Sequence, residues 1–121
     1  MNINCYKVRI WFVDRHEMVY NARAEIVNDM LEVNGYRASE TIIPMRSPGM
    51  SDQKHHLLYD KDIVKLSNGN LYTVAYDKYA WVMWPHNIRG VRVPLSEFSW
   101  SEIEVIGNRY ENPELKNKWW V

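Results

Sequence analysis

The chain is short of cysteine and has no surplus of charge of either sign. Cys5 is the one cysteine in 121 residues, so no disulfide can form within the chain, which fits a reducing cytoplasm. Fifteen basic residues balance fifteen acidic ones, whereas general affinity for a nucleic-acid backbone depends on many Lys and Arg facing the polymer. Charge therefore gives no positive reason to propose a nucleic-acid partner.

Long apolar runs are also missing. Charged residues interrupt every apolar stretch near the N-terminus, so no secretory signal is expected there. No run approaches the ~20 apolar residues that a membrane-spanning helix requires, and we expect no membrane partner. Apolar residues nevertheless make up 46% of the chain, which is enough for a core and argues against wholesale disorder.

Large aromatic residues are abundant, with six Trp and eight Tyr. These residues favour strands and bury large areas, and each carries a polar group that needs a partner or solvent. In the second half, residues 62–66, 71–76 and 79–84 have the composition of short strands, with turns at residues 67–70 and at Asp77-Lys78. Residues 91–93 and 103–106 add two more strands around one short helical turn. Several short strands joined by tight turns predict a small barrel or a strongly bent sheet.

The first half is less regular. Residues 6–13 and 18–20 predict a hairpin, and Pro44 pushes a strand over residues 40–45 to a sheet edge or a strand end. Residues 22–34 allow two interpretations: apolar residues at helical spacing that end at Gly35, or two short strands around a turn at Asn28-Asp29. Loop-forming residues over 47–56 mark the best boundary, so we assign residues 1–50 and 51–121 to two domains.

The segment 104–115 combines a strand end with a turn. Two aliphatic residues close a core, Gly107 allows a backbone bend that a Cβ would oppose, and Asn108 can bond to local backbone. Asn112 and Pro113 have the chemistry of a helix or turn start. This segment is similar to the closing motif of the YopX family of phage and prophage proteins, through Val105, Ile106, Gly107, Asn108, Tyr110, Glu111, Asn112, Pro113, Glu114 and Leu115.

Three further segments resemble the same family: residues 7–14, 42–49 and 58–64. The chain departs from the family pattern at Lys61, which stands where the family usually has glycine. If that glycine takes a positive φ, Lys61 is strained there. The resemblance implies a mainly β chain, with an N-terminal β-rich segment before a C-terminal SH3-like small β-barrel. It also favours strands over residues 22–34, and it carries no catalytic residue.

Aromatic residues of the second half are the best binding candidates. Aromatics on barrel strands can form a stacking surface for bases or a groove for an extended peptide, and nearby arginines could contact phosphates. Core and inter-subunit packing is the more frequent use of such rings when no basic surplus supports them. The candidate binding residues are Tyr76, Tyr79, Trp81, Trp84, Arg89 and Arg92.

No catalytic or metal-binding constellation is visible, and we expect no cofactor. Adjacent His55 and His56 would point to opposite faces of an extended chain, and a zinc site needs three or four ligands. Asp60 and Asp62 share a side of a strand but have no visible base–nucleophile partner. We expect a non-enzyme.

These observations predict a phage- or prophage-derived, cytoplasmic module of the bacterial host that binds a host or phage protein or a second copy of itself. The alternative is a small module for single-stranded nucleic acid that uses Trp81, Trp84 and the nearby arginines. Trp119 and Trp120 near the C-terminus are expected to dock on the domain or on a neighbouring copy.

Overall fold

The computed structural model describes residues 7–116 and divides the chain into two compact units, Met1–Ser47 and Pro48–Val121. Both units are built from antiparallel strands in three sheets, joined by tight turns and short 3₁₀ turns. The mainly β prediction is confirmed. The predicted docking of Trp119 and Trp120 falls outside the described residues. No helix in residues 7–116 is long and apolar enough to cross a membrane.

The N-terminal unit is centred on strand β1 (Val8–Phe12), all of whose residues are buried. It lies between β2 (Glu17–Ala22) and β6 (Ile42–Arg46), so the strand that contains Pro44 is an edge strand, as predicted. Its core contains Val8, Ile10, Phe12, Ala22 and Val33.

A second small sheet settles the structure of residues 22–34. It contains β3 (Ala24–Val27), β4 (Met30–Val33) and β5 (Tyr36–Arg37). Asn28 and Asp29 both take positive φ angles, 52° and 64°, which is the backbone of a two-residue type I′ hairpin turn. The two-strand interpretation is therefore confirmed, because the turn residues outweigh the helical spacing of the apolar ones.

The C-terminal unit contains one five-stranded sheet. Its strands are β7 (Asp62–Leu66), β8 (Leu71–Asp77), β9 (Ala80–Pro85), β10 (Val93–Pro94) and β11 (Ile103–Asn108). Their order in the sheet is β10-β9-β8-β7-β11, so the last strand crosses back to pair with the first. The core of the unit contains Leu58, Val64, Leu66, Tyr72, Val74, Met83, Leu95 and Ile103.

Two details differ from the sequence-based expectation. The sheet is open in the part of the chain described, with β10 and β11 as unjoined edges, so a closed SH3-like barrel is not confirmed. The second hairpin turn lies one residue later than predicted, at Lys78 and Tyr79, which both have positive φ. The reason is the register, because Asp77 pairs with Ala80 and leaves two residues for the turn.

Candidate functional site

The loop after Pro48 folds around the carboxylate of Asp52, which is fully buried. One carboxylate oxygen accepts the backbone N–H groups of Lys54 at 2.9 Å and His56 at 2.8 Å. The other accepts the N–H of Val105 on β11 at 2.8 Å. The loop is thereby fixed to the edge of the five-stranded sheet, an edge that would otherwise offer unpaired backbone groups.

These bonds also set the charge state of Asp52. Burial acts to raise the pKa of its carboxyl, but the backbone N–H groups of Val105, His56 and Lys54, helped by the charge of His56, outweigh burial and lower it. Asp52 is therefore ionised and occupied by structural bonds. It is not a carboxyl held ready for proton transfer.

The opposite wall of the site is Trp100, which begins a 3₁₀ turn, Trp100–Glu102. The Ser99 hydroxyl caps this turn by accepting the N–H of Ser101 at 3.4 Å. Trp100 remains 54% exposed, and the ring of His55 stacks beside it with centroids 6.3 Å apart and planes 26° apart. His55 itself has a positive φ of 65°, a conformation that L residues adopt at a cost.

Between the loop and the tryptophan lies an open recess of about 460 Å³. Met50 packs against the hydrophobic core of the C-terminal unit, so one wall of the recess is continuous with that core. The volume falls in the range of small-molecule and side-chain pockets. We call this feature the Trp100 recess; its lining residues are Gly49, Met50, Ser51, Asp52, His55 and Trp100.

The sequence interpretation missed this recess. It considered His55 only as a metal ligand, argued against that role, and assigned no role to Trp100 or Met50. One signal was available: Ser99 and Glu102 have the spacing of a capping box, which predicts a turn start with Trp100 at its first position. The approach of Trp100 to His55 has no such signal, since 45 residues separate them in the chain.

The aromatic candidates form two separate groups. Tyr76 and Trp81 are direct cross-strand partners on the face that also carries Val74 and Met83, with ring centroids 5.4 Å apart. Trp81 packs partly against the core. Tyr79, at the hairpin tip, is 94% exposed.

Trp84 lies on the other face of the same sheet. It pairs with Thr73, whose hydroxyl lies 2.7 Å from the ring of His86. Burial lowers the pKa of His86, so its ring is neutral near pH 7. Because Trp81 and Trp84 face opposite ways, they do not form one stacking surface.

The two candidate arginines, Arg89 and Arg92, lie in different surroundings. Arg92 forms an ion pair with Asp77 at the end of β8, and Arg89 is exposed in the loop between β9 and β10. Asp77 therefore partly offsets the positive charge that the nucleic-acid hypothesis assigned to Arg92. That hypothesis stays a prediction, without a joint aromatic platform to support it.

The other titratable candidates are held by local structure. Asp62 is buried and accepts the N–H of Tyr59 at 2.8 Å, whereas Asp60 contacts Lys61 at 3.4 Å. His56 approaches Asp52 at 3.7 Å while His55 turns to Trp100, so the two histidines do not converge. Within residues 7–116, no three His, Cys, Asp or Glu side chains are grouped so that they could hold a metal ion.

The two most family-like segments meet in space. Strand β7 begins within the family-like segment 58–64 and pairs with β11, and the N–H of Arg109 donates to the carbonyl of Lys61 at 3.0 Å. Lys61 has a φ of 74°, so the position at which the resemblance led us to expect glycine does adopt a left-handed conformation. Its own N–H donates to Val74 at 2.8 Å, which holds it there.

The closing motif is a network of Asn side chains. Asn108 is buried, and its side-chain oxygen accepts the N–H groups of Tyr110 at 3.0 Å and Glu111 at 2.9 Å. The Asn112 oxygen accepts the N–H of Asn108 at 3.1 Å, and no bond from that side chain caps the following 3₁₀ turn. A Cβ on Gly107 would lie 2.5 Å from that same oxygen, so close packing accounts for the glycine.

Comparison with known proteins agrees with this architecture. The chain is similar in structure to protein EF1440 from Enterococcus faecalis, with a TM-score of 0.62, 18% identity and coverage of 91% of this chain and 96% of that one. It is similar also to protein yopX from Bacillus subtilis, with a TM-score of 0.59, 18% identity and coverage of 93% and 98%. No curated protein matches the chain. The model of the YopX protein family matches residues 5–116, and the chain belongs to that family.

Proposed function

We propose that this protein is a non-enzymatic binding module that holds an extended segment of another protein in the Trp100 recess. The observation that carries the proposal is the exposure of Trp100 beside a loop that is already fixed in place. Tryptophan is enriched among the residues that dominate binding energy, because it offers a large apolar area with one polar handle.

Preorganisation supports binding at this site. The Asp52 carboxylate accepts three backbone N–H groups, so the loop does not have to be ordered when a ligand arrives. Binding to a preformed surface avoids the entropy cost of ordering it, and more of the contact energy appears as affinity. The recess is also open, which suits a side chain of a longer polypeptide.

The titratable groups around the recess favour binding over catalysis. A general acid or base needs a pKa near the working pH and a free path to its substrate. The pKa of Asp52 is lowered and its oxygens accept backbone bonds. The nearby Lys54 side chain is paired with Glu104 at 2.7 Å.

The setting of the module is inferred from the family resemblance. We infer a phage or prophage gene, action in the cytoplasm of the bacterial host, and a host or phage protein as the partner. We also infer that the C-terminal unit is an SH3-like module that stops short of closure. Its last strand returns beside its first after two 3₁₀ turns, and this order would join into a barrel if the two edges approached.

The test is a selection of peptides from a displayed random library on the full-length protein, followed by affinity measurement on the selected peptides. We expect Trp100→Ala to weaken binding at least tenfold, which corresponds to about 1.4 kcal/mol. Tyr79→Ala is the matched control, since it removes a more exposed aromatic from the same unit and is expected to leave affinity unchanged. Peptides that bind equally well to the Trp100→Ala protein would refute the site.

A further inference from the structure

Two chain segments are bonded to the free edge of strand β11, one at the Trp100 recess and one at the last turn of the described chain. On the recess side, the N–H of Val105 donates to Asp52 at 2.8 Å. Three residues farther along this edge, the N–H of Asn108 donates to the Asn112 side chain at 3.1 Å, and the Asn112 N–H donates to the Asn108 carbonyl at 2.9 Å. Because a strand rises about 3.3 Å per residue, the two attachment points lie about 10 Å apart.

The turn after Asn112 leads the chain onward in an extended conformation. It is the 3₁₀ turn Pro113–Leu115, closed by a bond from the N–H of Lys116 to the Pro113 carbonyl at 3.2 Å. Lys116 is exposed, and its φ of −59° and ψ of 137° are those of polyproline-like extended backbone. The chain therefore leaves the turn in an extended form, which is the form of ligand that we propose for the recess.

Two adjacent tryptophans come next in the sequence, Trp119 and Trp120. An extended chain spans about 3.3–3.6 Å per residue, so Trp119 can lie about 10 Å from Lys116 and Trp120 about 13 Å. These reaches match the separation of the two attachment points on β11. Large apolar side chains in water are a liability, and an apolar recess within reach gives these rings a site for burial.

We propose that the segment 117–121 docks in the Trp100 recess of its own chain and closes it until a partner displaces the segment. The inference rests on the proposed binding function of the recess, because it assigns a competitor to that ligand. The recess suits a tryptophan ring, since Trp100 offers an exposed aromatic face and Met50 a thioether, and both make favourable contacts with aromatic rings.

The charges beside the recess also fit this segment. Glu102 lies in the same 3₁₀ turn as Trp100, and Glu104 pairs with Lys54 of the recess loop at 2.7 Å. Two carboxylates against one ammonium make this flank of the recess negative. Lys118 directly precedes the tryptophan pair and brings the opposite charge. Because exposed ion pairs contribute little free energy, the charges orient the segment and the rings supply most of the binding.

Attachment to the same unit favours docking within one chain over docking on a second copy. A tethered segment meets its site at an effective concentration of about 1 mM when a short linker spans the distance. A second copy matches that concentration only in very concentrated protein. The segment therefore acts as a built-in competitor, and a partner binds with an affinity that is reduced to the fraction of recesses left open.

Disulfide closure tests the docking directly. In a Cys5→Ser background, Ser51→Cys places a thiol in the lining of the recess, and Val121→Cys places one beside the tryptophan pair. We expect oxidised glutathione to close an intramolecular disulfide roughly tenfold faster than in the Asn87→Cys/Val121→Cys protein, because docking raises the effective concentration of the two thiols. Asn87 is the matched control, since it is exposed in the loop after β9, three strands from β11. Trp100→Ala should remove the difference in rate.

The affinity of a peptide selected on the recess gives the second measurement. We expect the Trp119→Ser/Trp120→Ser protein to bind this peptide at least tenfold more tightly than the wild type, because the competitor is gone. Glu114→Gln is the control, since it changes an exposed residue of the preceding turn and should leave the affinity unchanged.

Three results would each overturn the docking within one chain. They are equal peptide affinities of the wild type and the Trp119→Ser/Trp120→Ser protein, a disulfide-linked dimer in place of the closed monomer, and equal closure rates for the Ser51 and Asn87 pairs. Failure of the proposed function looks different. In that case the selected peptides bind the Trp100→Ala protein as well as the wild type, while the intramolecular disulfide from Ser51→Cys still forms.

Discussion

The Asp52 carboxylate and the Val105 N–H are joined by a 2.8 Å hydrogen bond, although the two residues lie 53 positions apart in the chain. This bond fixes the first loop of the C-terminal unit to its last strand. A backbone bond nearby has the same effect, because Gln53 donates to Ile103 at 3.0 Å. The wall of the Trp100 recess therefore depends on the pairing of chain segments far apart in sequence.

Removal of the Asp52 carboxylate should destabilise the domain. Asp52→Ala leaves three N–H groups without their acceptor, and hydrogen bonds to a charged group contribute about 1.5–3 kcal/mol each. Because the exposed Lys54 and His56 can turn to water, we expect a total loss of about 2–4 kcal/mol in urea unfolding. Asp60→Ala, which removes a partly exposed carboxylate eight residues away, should cost under about 1 kcal/mol.

The contribution of Asp52 to the free energy of unfolding should decrease as the pH falls. The pKa of this carboxyl is lowered in the folded protein from its ordinary value of 3.8, so the folded state favours the ionised form. The stabilisation is complete above the unfolded-state pKa and is lost as pH falls through the lower folded-state pKa. We expect the difference in unfolding free energy between wild type and Asp52→Asn to shrink below about pH 4. A difference that grows on acidification would show that the sign is wrong.

Replacement of Lys61 by glycine should stabilise the protein. A left-handed conformation costs an L residue about 1–2 kcal/mol, and glycine avoids that cost. The greater conformational entropy of glycine in the unfolded state offsets part of this stabilisation. We therefore expect Lys61→Gly to raise the free energy of unfolding by about 0.5–1 kcal/mol. Lys65→Gly is the matched control in strand β7, which begins just after Lys61, because the extended conformation there makes glycine destabilising. Thermal melts of the two variants should shift in opposite directions.

Gly107→Ala should be destabilising because of one defined clash. The new Cβ would lie 2.5 Å from the Asn112 side-chain oxygen, which already accepts the Asn108 N–H. Overpacking of this kind costs about 1–3 kcal/mol. In a double-mutant cycle, Asn112→Ala should cost less in the Gly107→Ala background than in the wild type. Strictly additive effects would contradict the clash.

Titration with a single-stranded oligonucleotide should leave tryptophan fluorescence unchanged. Trp81 and Trp84 face opposite sides of the sheet, and Arg92 is paired with Asp77. Binding of single strands normally combines stacked aromatics with a basic groove. Salt-dependent quenching that both Trp81→Ala and Arg92→Ala diminish would favour the nucleic-acid alternative instead.

Several structural features could be predicted because their physical cause is local. The Asn68-Gly69 pair specifies a tight turn, since Gly69 tolerates the positive φ that the turn requires. At Asn28-Asp29 the local pattern allowed both a helix and a turn, and the family resemblance favoured the turn. The placement of Trp81 and Trp84 on opposite faces of the sheet could also be predicted, because residues three apart on a strand point to opposite faces. The one-residue error at Lys78-Tyr79 arose because tyrosine gives no local signal for a positive φ.

Residue chemistry along the chain was thus sufficient for the class of fold and most turns, whereas the strained position at Lys61 was expected only from the family resemblance. Residue chemistry could not supply the Trp100 recess, the open edges of the five-stranded sheet or the exposure of Ile26 and Leu31 on the β3–β4 hairpin. Each of these depends on which distant segments pair and on which strand face meets a core. Such choices follow from the packing energy of the whole domain, and no short stretch of residues contains that information.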